Sequence, residues 1–304
     1  MQYSLSGAVL SRDLIRADGR LVASRGAIVN LAYLKALAAK APRGLPERPL
    51  LETSLAESVL EAFDESPLQP LIGGESNRAL AADALAKVRF PQAVWDELEA
   101  LRKEDEPRYR HAVWTAAVGA RLFHLALGSA PELTQLVGAA LTHDLGMRHL
   151  AVRLRFKQDH LTDAEALSLE AHPLLGALLL ASVLGDAPAV HSALLHHRSG
   201  SSYGRANGEQ PLRELDLISV ASAFAALIAP RSYRLQPYNP RGAVDQLVDD
   251  AIAGRFDLRA IRLLIRCLRG AKPQAELLFP SKPTGFRPPD NHYGMSPARS
   301  ATFN

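Results

Sequence analysis

From about Asn77 to Gly270, apolar positions recur at three- and four-residue spacing, the period of amphipathic helices. Turn-forming residues cut this pattern into successive helices. The breaks fall at Pro107, Gly128–Pro131, Gly146, Thr162-Asp163, Gly185–Pro188, Ser199–Pro211, Pro237–Pro240 and Gly254. Thr162 or Asp163 caps the helix that follows, and Glu165 is placed to complete a capping box with Thr162. There is no tandem repeat and no sustained heptad.

Residues 1–40 are patterned differently. Ala8-Val9-Leu10 and Leu21-Val22-Ala23 are short strand candidates, Asp18-Gly19 between them is a hairpin-type turn signal, and Asn30 caps a helix running to about Lys40. These features predict a small α+β unit. Residues 41–76 read as a linker rich in proline and glycine, with a short helix from about Ser54 to Asp64. Residues 271–304 carry six prolines and little periodicity, which predicts an extended or disordered tail. The expected architecture is mainly α: a helical bundle over 77–270 behind a small N-terminal α+β unit.

Composition narrows the classes. Of 304 residues, 47% are hydrophobic, enough for a sizeable core and against wholesale disorder. The formal net charge is +3, and Lys272, Lys282, Arg287 and Arg299 against Glu276 and Asp290 place +2 of it in the tail. A near-neutral body is a poor match for a nucleic-acid backbone, so no nucleic-acid partner is expected. The single cysteine, Cys267, sits in an apolar run and reads as a buried small hydrophobe; no internal disulfide can form. No basic segment followed by an apolar run opens the chain, and no stretch of roughly 18 uninterrupted apolar residues occurs. The expectation is a cytoplasmic protein without a membrane partner.

Nine of the ten histidines lie between His111 and His197. Five fall at helix-like places: His111 opening a helix, His143 with Asp144 ending one, His172 before Pro173, and His196-His197 closing another. Neutral imidazole with carboxylate suits Fe, Mn or Zn better than Mg or Ca. Ligands from separate helices converge in the core of a bundle, and two ions about 3.5–4 Å apart activate water and neutralise phosphoryl charge. His124, His149, His160, His191 and His292 read as ordinary surface or core residues, and Trp95 and Trp114 as core.

His143-Asp144-Leu145-Gly146 resembles the signature that opens the HD-GYP motif set. Leu161-Thr162-Asp163-Ala164-Glu165, His172-Pro173-Leu174-Leu175-Gly176, Ile218-Ser219-Val220-Ala221 and Arg231-Ser232-Tyr233-Arg234 resemble its later segments, so the resemblance covers about residues 105–270. It implies a helical, metal-dependent phosphodiesterase that hydrolyses cyclic di-GMP through pGpG to GMP, with one or two divalent ions (Fe, Mn or Zn) per chain. In that scheme His111 and His143 hold the first metal, Asp144 bridges, and His172, His196 and His197 hold the second. His143 and Asp144 form the catalytic core of the set.

The departures from the pattern are specific. Ser222 stands where the family has its last metal-binding aspartate, Met147 where it has a phosphate-contacting lysine, and Arg198 where a glutamate follows the histidine pair. The Gly-Tyr-Pro loop reads Ser202-Tyr203-Gly204, and Pro107 replaces the glutamate associated with a third metal. Arg148 and Arg198 are candidates to restore the lost positive charge, and Arg231, Tyr233 and Arg234 to touch a phosphate, although a solvated basic turn is the plainer reading of the last three. Two functions follow: a slow phosphodiesterase for cyclic di-GMP or a related phosphoester, or an inactive descendant that binds a nucleotide or a partner such as a diguanylate cyclase.

Overall fold

The computed structural model describes residues 8–64, 66–68, 74–128, 130–157, 161–197, 212–230 and 236–269. The proline-rich tail and the segments around Arg198 and Arg231–Arg234 lie outside them.

The N-terminal unit contains two short antiparallel pairs. Strand β1 (Ala8–Val9) pairs with β4 (Ile28–Val29), and β2 (Leu14–Ile15) with β3 (Leu21–Ala23). The Asp18-Gly19 turn is therefore real, with Gly19 at φ +81°, but it joins β3 to Leu14–Ile15 rather than to Ala8–Val9. Two-residue strands are too short to show alternation, which is why β2 and β4 left no pattern to read. Helix α1 (Leu31–Ala39) begins as expected, the Asn30 side chain accepting from the Tyr33 N–H at 2.9 Å, and it packs on the helical body.

Within the stretch read as a linker, β5 (Glu47–Pro49) pairs with β6 (Arg89–Pro91), and Trp95 donates its indole N–H to the Arg48 carbonyl at 3.0 Å. Helix α2 (Ala56–Phe63) follows. The body then runs α3 (Glu75–Ala86), α4 (Gln92–Glu104), α5 (Glu106–Leu127), α6 (Leu133–Thr142), a 3₁₀ turn (Leu145–His149), α7 (Val152–Arg155), α8 (Asp163–Leu169) and α9 (His172–Leu184). It closes with α10 (Pro188–Leu195), α11 (Glu214–Ile228), α12 (Pro240–Ile252) and α13 (Leu258–Leu268). The structure is mainly helical, as the periodicity implies.

Helix α5 is the central post, packed by α6, α11, α3, α4, α13 and α2. Its run of Ala112, Ala116, Ala117, Gly119 and Ala120 lets neighbours approach closely. A Cβ on Gly119 would stand 3.4 Å from the Ala140 methyl of α6 and 3.1 Å from the Phe123 ring. Asp105 caps α5 by accepting from the Arg108 N–H, and Pro107 sits in its first turn. The helix thus opens before His111, not at it, and His111 lies in its second turn, buried. The expected capping box is present: Thr162 accepts from the Glu165 N–H, and Glu165 accepts from the Thr162 N–H at 2.8 Å.

Trp95, Trp114 and Cys267 are all buried, and burial pushes the Cys267 thiol up to about 12, consistent with an inert packing role. Taken as one helix, Asp163–Leu184 is long and apolar enough to cross a membrane, and 56% of its most apolar window is buried inside the protein. Here it breaks at Glu170-Ala171, and α9 packs against α10, α1 and the 3₁₀ turn as core.

Candidate metal centre

Three helix ends and the second turn of α5 meet at one place. His143 and Asp144 terminate α6, His172 opens α9, and His196-His197 terminate α10. Two groups of potential ligand atoms form, each with its members within 4.8 Å of one another: His111, His143 and Asp144, and His172, His196 and His197. The ring centroids of His143 and His196 are 4.9 Å apart, so the groups adjoin. Two glycines make this possible. Gly146 and Gly176 abut so closely that a Cβ on Gly146 would sit 1.9 Å from the His172 carbonyl oxygen. The start of α9 therefore lies directly on the turn that follows Asp144. Ser219 of α11 donates to the His196 carbonyl at 2.7 Å and fixes the end of α10.

The hydrogen bonds assign the tautomers. Nδ1 of His143 lies 2.7 Å from the Ala140 carbonyl, that of His172 2.6 Å from Leu169, and that of His196 2.9 Å from Ala193. A carbonyl only accepts, so each Nδ1 carries the proton and each Nε2 presents a bare lone pair. Nε2 of His172 nevertheless lies 3.3 Å from Nε2 of His196, 3.0 Å from Nε2 of His197 and 3.4 Å from Oδ1 of Asp144. Facing lone pairs repel unless a cation stands among them. Such a donor set fits a divalent transition ion, and it would be held by His172, His196, His197 and Asp144.

Protonation follows the same logic. Burial, with the neighbouring imidazoles adding to it, lowers His143 to about 3. Burial likewise lowers His172, against the attraction of Asp144, to about 4. Burial also lowers His196 and His197. All four are therefore neutral ligands at pH 7. Burial opposes the charge of Asp144, but His172 and Arg108 together hold the carboxyl below its ordinary range. With His172 neutral above about 4, Arg108 is the cation that persists near neutral pH; its Nη1 lies 3.3 Å from Asp144 Oδ2.

The first group is arranged differently. Ser222 Oγ lies 3.0 Å from Nε2 of His143 and 3.3 Å from Nε2 of His111. Because the His143 Nε2 is bare, the hydroxyl donates to it and accepts from His111. The serine thus stands between the two imidazoles and hydrogen-bonds the Nε2 of each without an ion.

The other expected residues divide. Met147 is buried in the core, where it offers no charge. The Arg148 side chain does not line the histidine cluster. It lies 3.7 Å from both Glu97 and Glu104 and lines a separate cleft with Arg12 and Arg155. Arg198, Arg231, Tyr233 and Arg234, with the Ser202–Gly204 loop, fall outside the described residues. Sequence reasoning missed Arg108. The signal was available: with the helix starting at Glu106, Arg108 and His111 are three residues apart on one face. His149, read as ordinary, faces the buried Glu97 at 3.5 Å.

The helical bundle thus gathers five histidines and an aspartate into one buried candidate metal centre. No model of a known family matches the chain. Over 161 residues it is 25% identical to the cyclic di-GMP phosphodiesterase PdeB of Borreliella burgdorferi, covering 50% of this chain and 42% of that protein. The chain thus spans less than half the length of that relative. The HD domain of L. monocytogenes phosphodiesterase PgpH is similar with TM-score 0.44 and 15% identity, over 57% of this chain and 95% of that one. Bd1817, an HDG"Y"P protein from Bdellovibrio bacteriovorus, is similar with TM-score 0.42 and 18% identity, over 79% of each chain. Across half of its length the chain is thus similar in sequence to a cyclic di-GMP phosphodiesterase.

Proposed function

We propose that the protein is a metal-dependent phosphodiesterase acting on a cyclic dinucleotide, cyclic di-GMP in particular, opened to pGpG and onward to GMP with reduced activity. The observation that carries this reading is the convergence of the bare Nε2 atoms of His172 and His196 with Nε2 of His197 beside ionised Asp144. The sequence match to a cyclic di-GMP phosphodiesterase supports the substrate class. Fe, Mn or Zn, if held by His172, His196, His197 and Asp144, would activate water near neutral pH and offset phosphoryl charge. The protein's own part is to hold the imidazoles neutral through burial, to fix their tautomers through backbone carbonyls, and to keep Asp144 ionised through Arg108. Reduced activity follows from Ser222 and Met147, since a missing anionic ligand and a missing cation both weaken charge stabilisation.

A second reading has its own support. Ser222 hydrogen-bonds the Nε2 atoms of His111 and His143 without an ion, which favours a one-metal or metal-poor centre. On that reading the protein is an inactive relative that binds a nucleotide or a diguanylate cyclase-type partner. Turnover of cyclic di-GMP with added Mn or Fe, compared with Asp144→Ala, separates the two. Hydrolysis that disappears in the variant supports the phosphodiesterase. Nucleotide binding without hydrolysis supports the second reading, and neither binding nor hydrolysis removes both.

A further inference from the structure

An open cleft of about 320 Å³ lies at the seam between the N-terminal unit and the helical body, apart from the histidine cluster. Arg12 and Asp13 reach it from the segment between β1 and β2, Glu104 from the end of α4, Arg148 and His149 from the 3₁₀ turn, and Arg155 from the end of α7. The lining therefore presents three permanent cations against two carboxylates.

Those cations are poorly matched by the protein itself. The Arg155 side chain is only 6% exposed, yet its Nε and Nη1 make no hydrogen bond among the described residues. The Nε of Arg148, 11% exposed, is also without one. Glu104 stands 3.7 Å from both guanidiniums, beyond hydrogen-bond reach, and is itself 44% exposed. Arg148 makes a further 3.7 Å approach to Glu97 and a 3.3 Å contact from Nη1 to His149 Nε2. Asp13 is engaged elsewhere, accepting from the Arg25 N–H at 2.6 Å. Arg12 donates to the His149 carbonyl and lies at the exposed rim. Buried guanidinium N–H groups without acceptors are costly, and a tetrahedral oxyanion offers several acceptors at once.

We propose that this cleft binds a phosphate-bearing small molecule, its phosphate received by Arg155 and Arg148 and closed over by Arg12. A phosphate dianion fits better than a single carboxylate, because Glu104 already brings one carboxylate to both guanidiniums without satisfying them. The inference does not depend on the function assigned to the metal centre.

The test is thermal denaturation of the full chain against inorganic phosphate, at ionic strength held constant with chloride. Expected is a saturable rise in Tm of about 2–3 °C at phosphate tenfold over its Kd. The rise is expected to be lost in Arg155→Met and in Arg12→Ala, and kept in His172→Ala, which disables the metal group. Should Arg155→Met fail to fold, Arg12→Ala decides, since that residue is exposed. No saturable rise, an unchanged rise in Arg12→Ala, or a rise lost only in His172→Ala each overturns the proposal.

Discussion

Replacing Gly146 by alanine tests how the metal centre is assembled. A Cβ at that position would lie 1.9 Å from the His172 carbonyl oxygen, 2.5 Å from the Gly176 nitrogen and 2.9 Å from the His172 carbonyl carbon. Ordinary carbon–oxygen contact needs roughly 3.3 Å, so the overlap exceeds 1 Å, and it is with backbone that no rotamer change can move. Helix α9 must retreat from the turn by about that amount. Overpacking typically costs about 1–3 kcal/mol, and a clash with the backbone of the first turn of α9 belongs at or above the top of that range. The same retreat would carry His172 away from Asp144, now 3.4 Å apart, and metal affinity should fall about 10- to 100-fold. Gly176→Ala is the internal control: its Cβ would meet the Gly146 nitrogen at 3.1 Å and the Ala193 methyl at 3.5 Å, so its effect should be clearly smaller. Denaturant midpoints and metal titration of both variants read the two effects. A Gly146→Ala protein with native midpoint and native metal affinity would refute the reasoning.

Three further outcomes follow from the site. Arg108→Met leaves Asp144 without its permanent cation, and the metal-free chain should lose about 1–3 kcal/mol, less when metal-loaded; equal losses in both states would remove the charge argument. Ser222→Asp puts a carboxylate between His111 and His143, and metal stoichiometry should rise from about one to about two per chain; an unchanged value would show that the serine is not the limiting position. Folded His143 and His172 titrate at about 3 and about 4, against 6.5 unfolded, so the unfolded state takes up their protons first. The stability of the metal-free chain should therefore be complete above about pH 6.5 and decline below it, by about 1.4 kcal/mol per pH unit for each histidine. A denaturant midpoint flat from about pH 7 to about pH 5 contradicts this.

Much of the site is written locally in the sequence. His143-Asp144 precedes a glycine, His172 precedes a proline, and His196 is followed by His197, so helix ends announce the ligands, and glycine and proline announce two of those ends. Ser222 was legible as the odd member, and the structure puts it between the two imidazoles it would have to complete. What was hidden depends on long-range pairing or on register. Glu47-Arg48-Pro49 has no apolar alternation, and only its partner Arg89–Pro91 makes it a strand. Arg148 was a candidate to restore the charge lost at Met147, and the sequence did not place its side chain. The 3₁₀ turn over Leu145–His149 instead delivers it to Glu97 and Glu104. Arg108 serves Asp144 because α5 begins at Glu106, a start that the Asp105 cap determines and that the proline obscured.

The central claim, that the neutral imidazoles and Asp144 hold a divalent transition ion, is tested most directly by metal content per chain in protein purified without chelators. The expected result is about one or more Fe, Mn or Zn per chain, lost in Asp144→Ala and in His172→Ala. A chain that stays metal-free after anaerobic loading with each of these ions would contradict it.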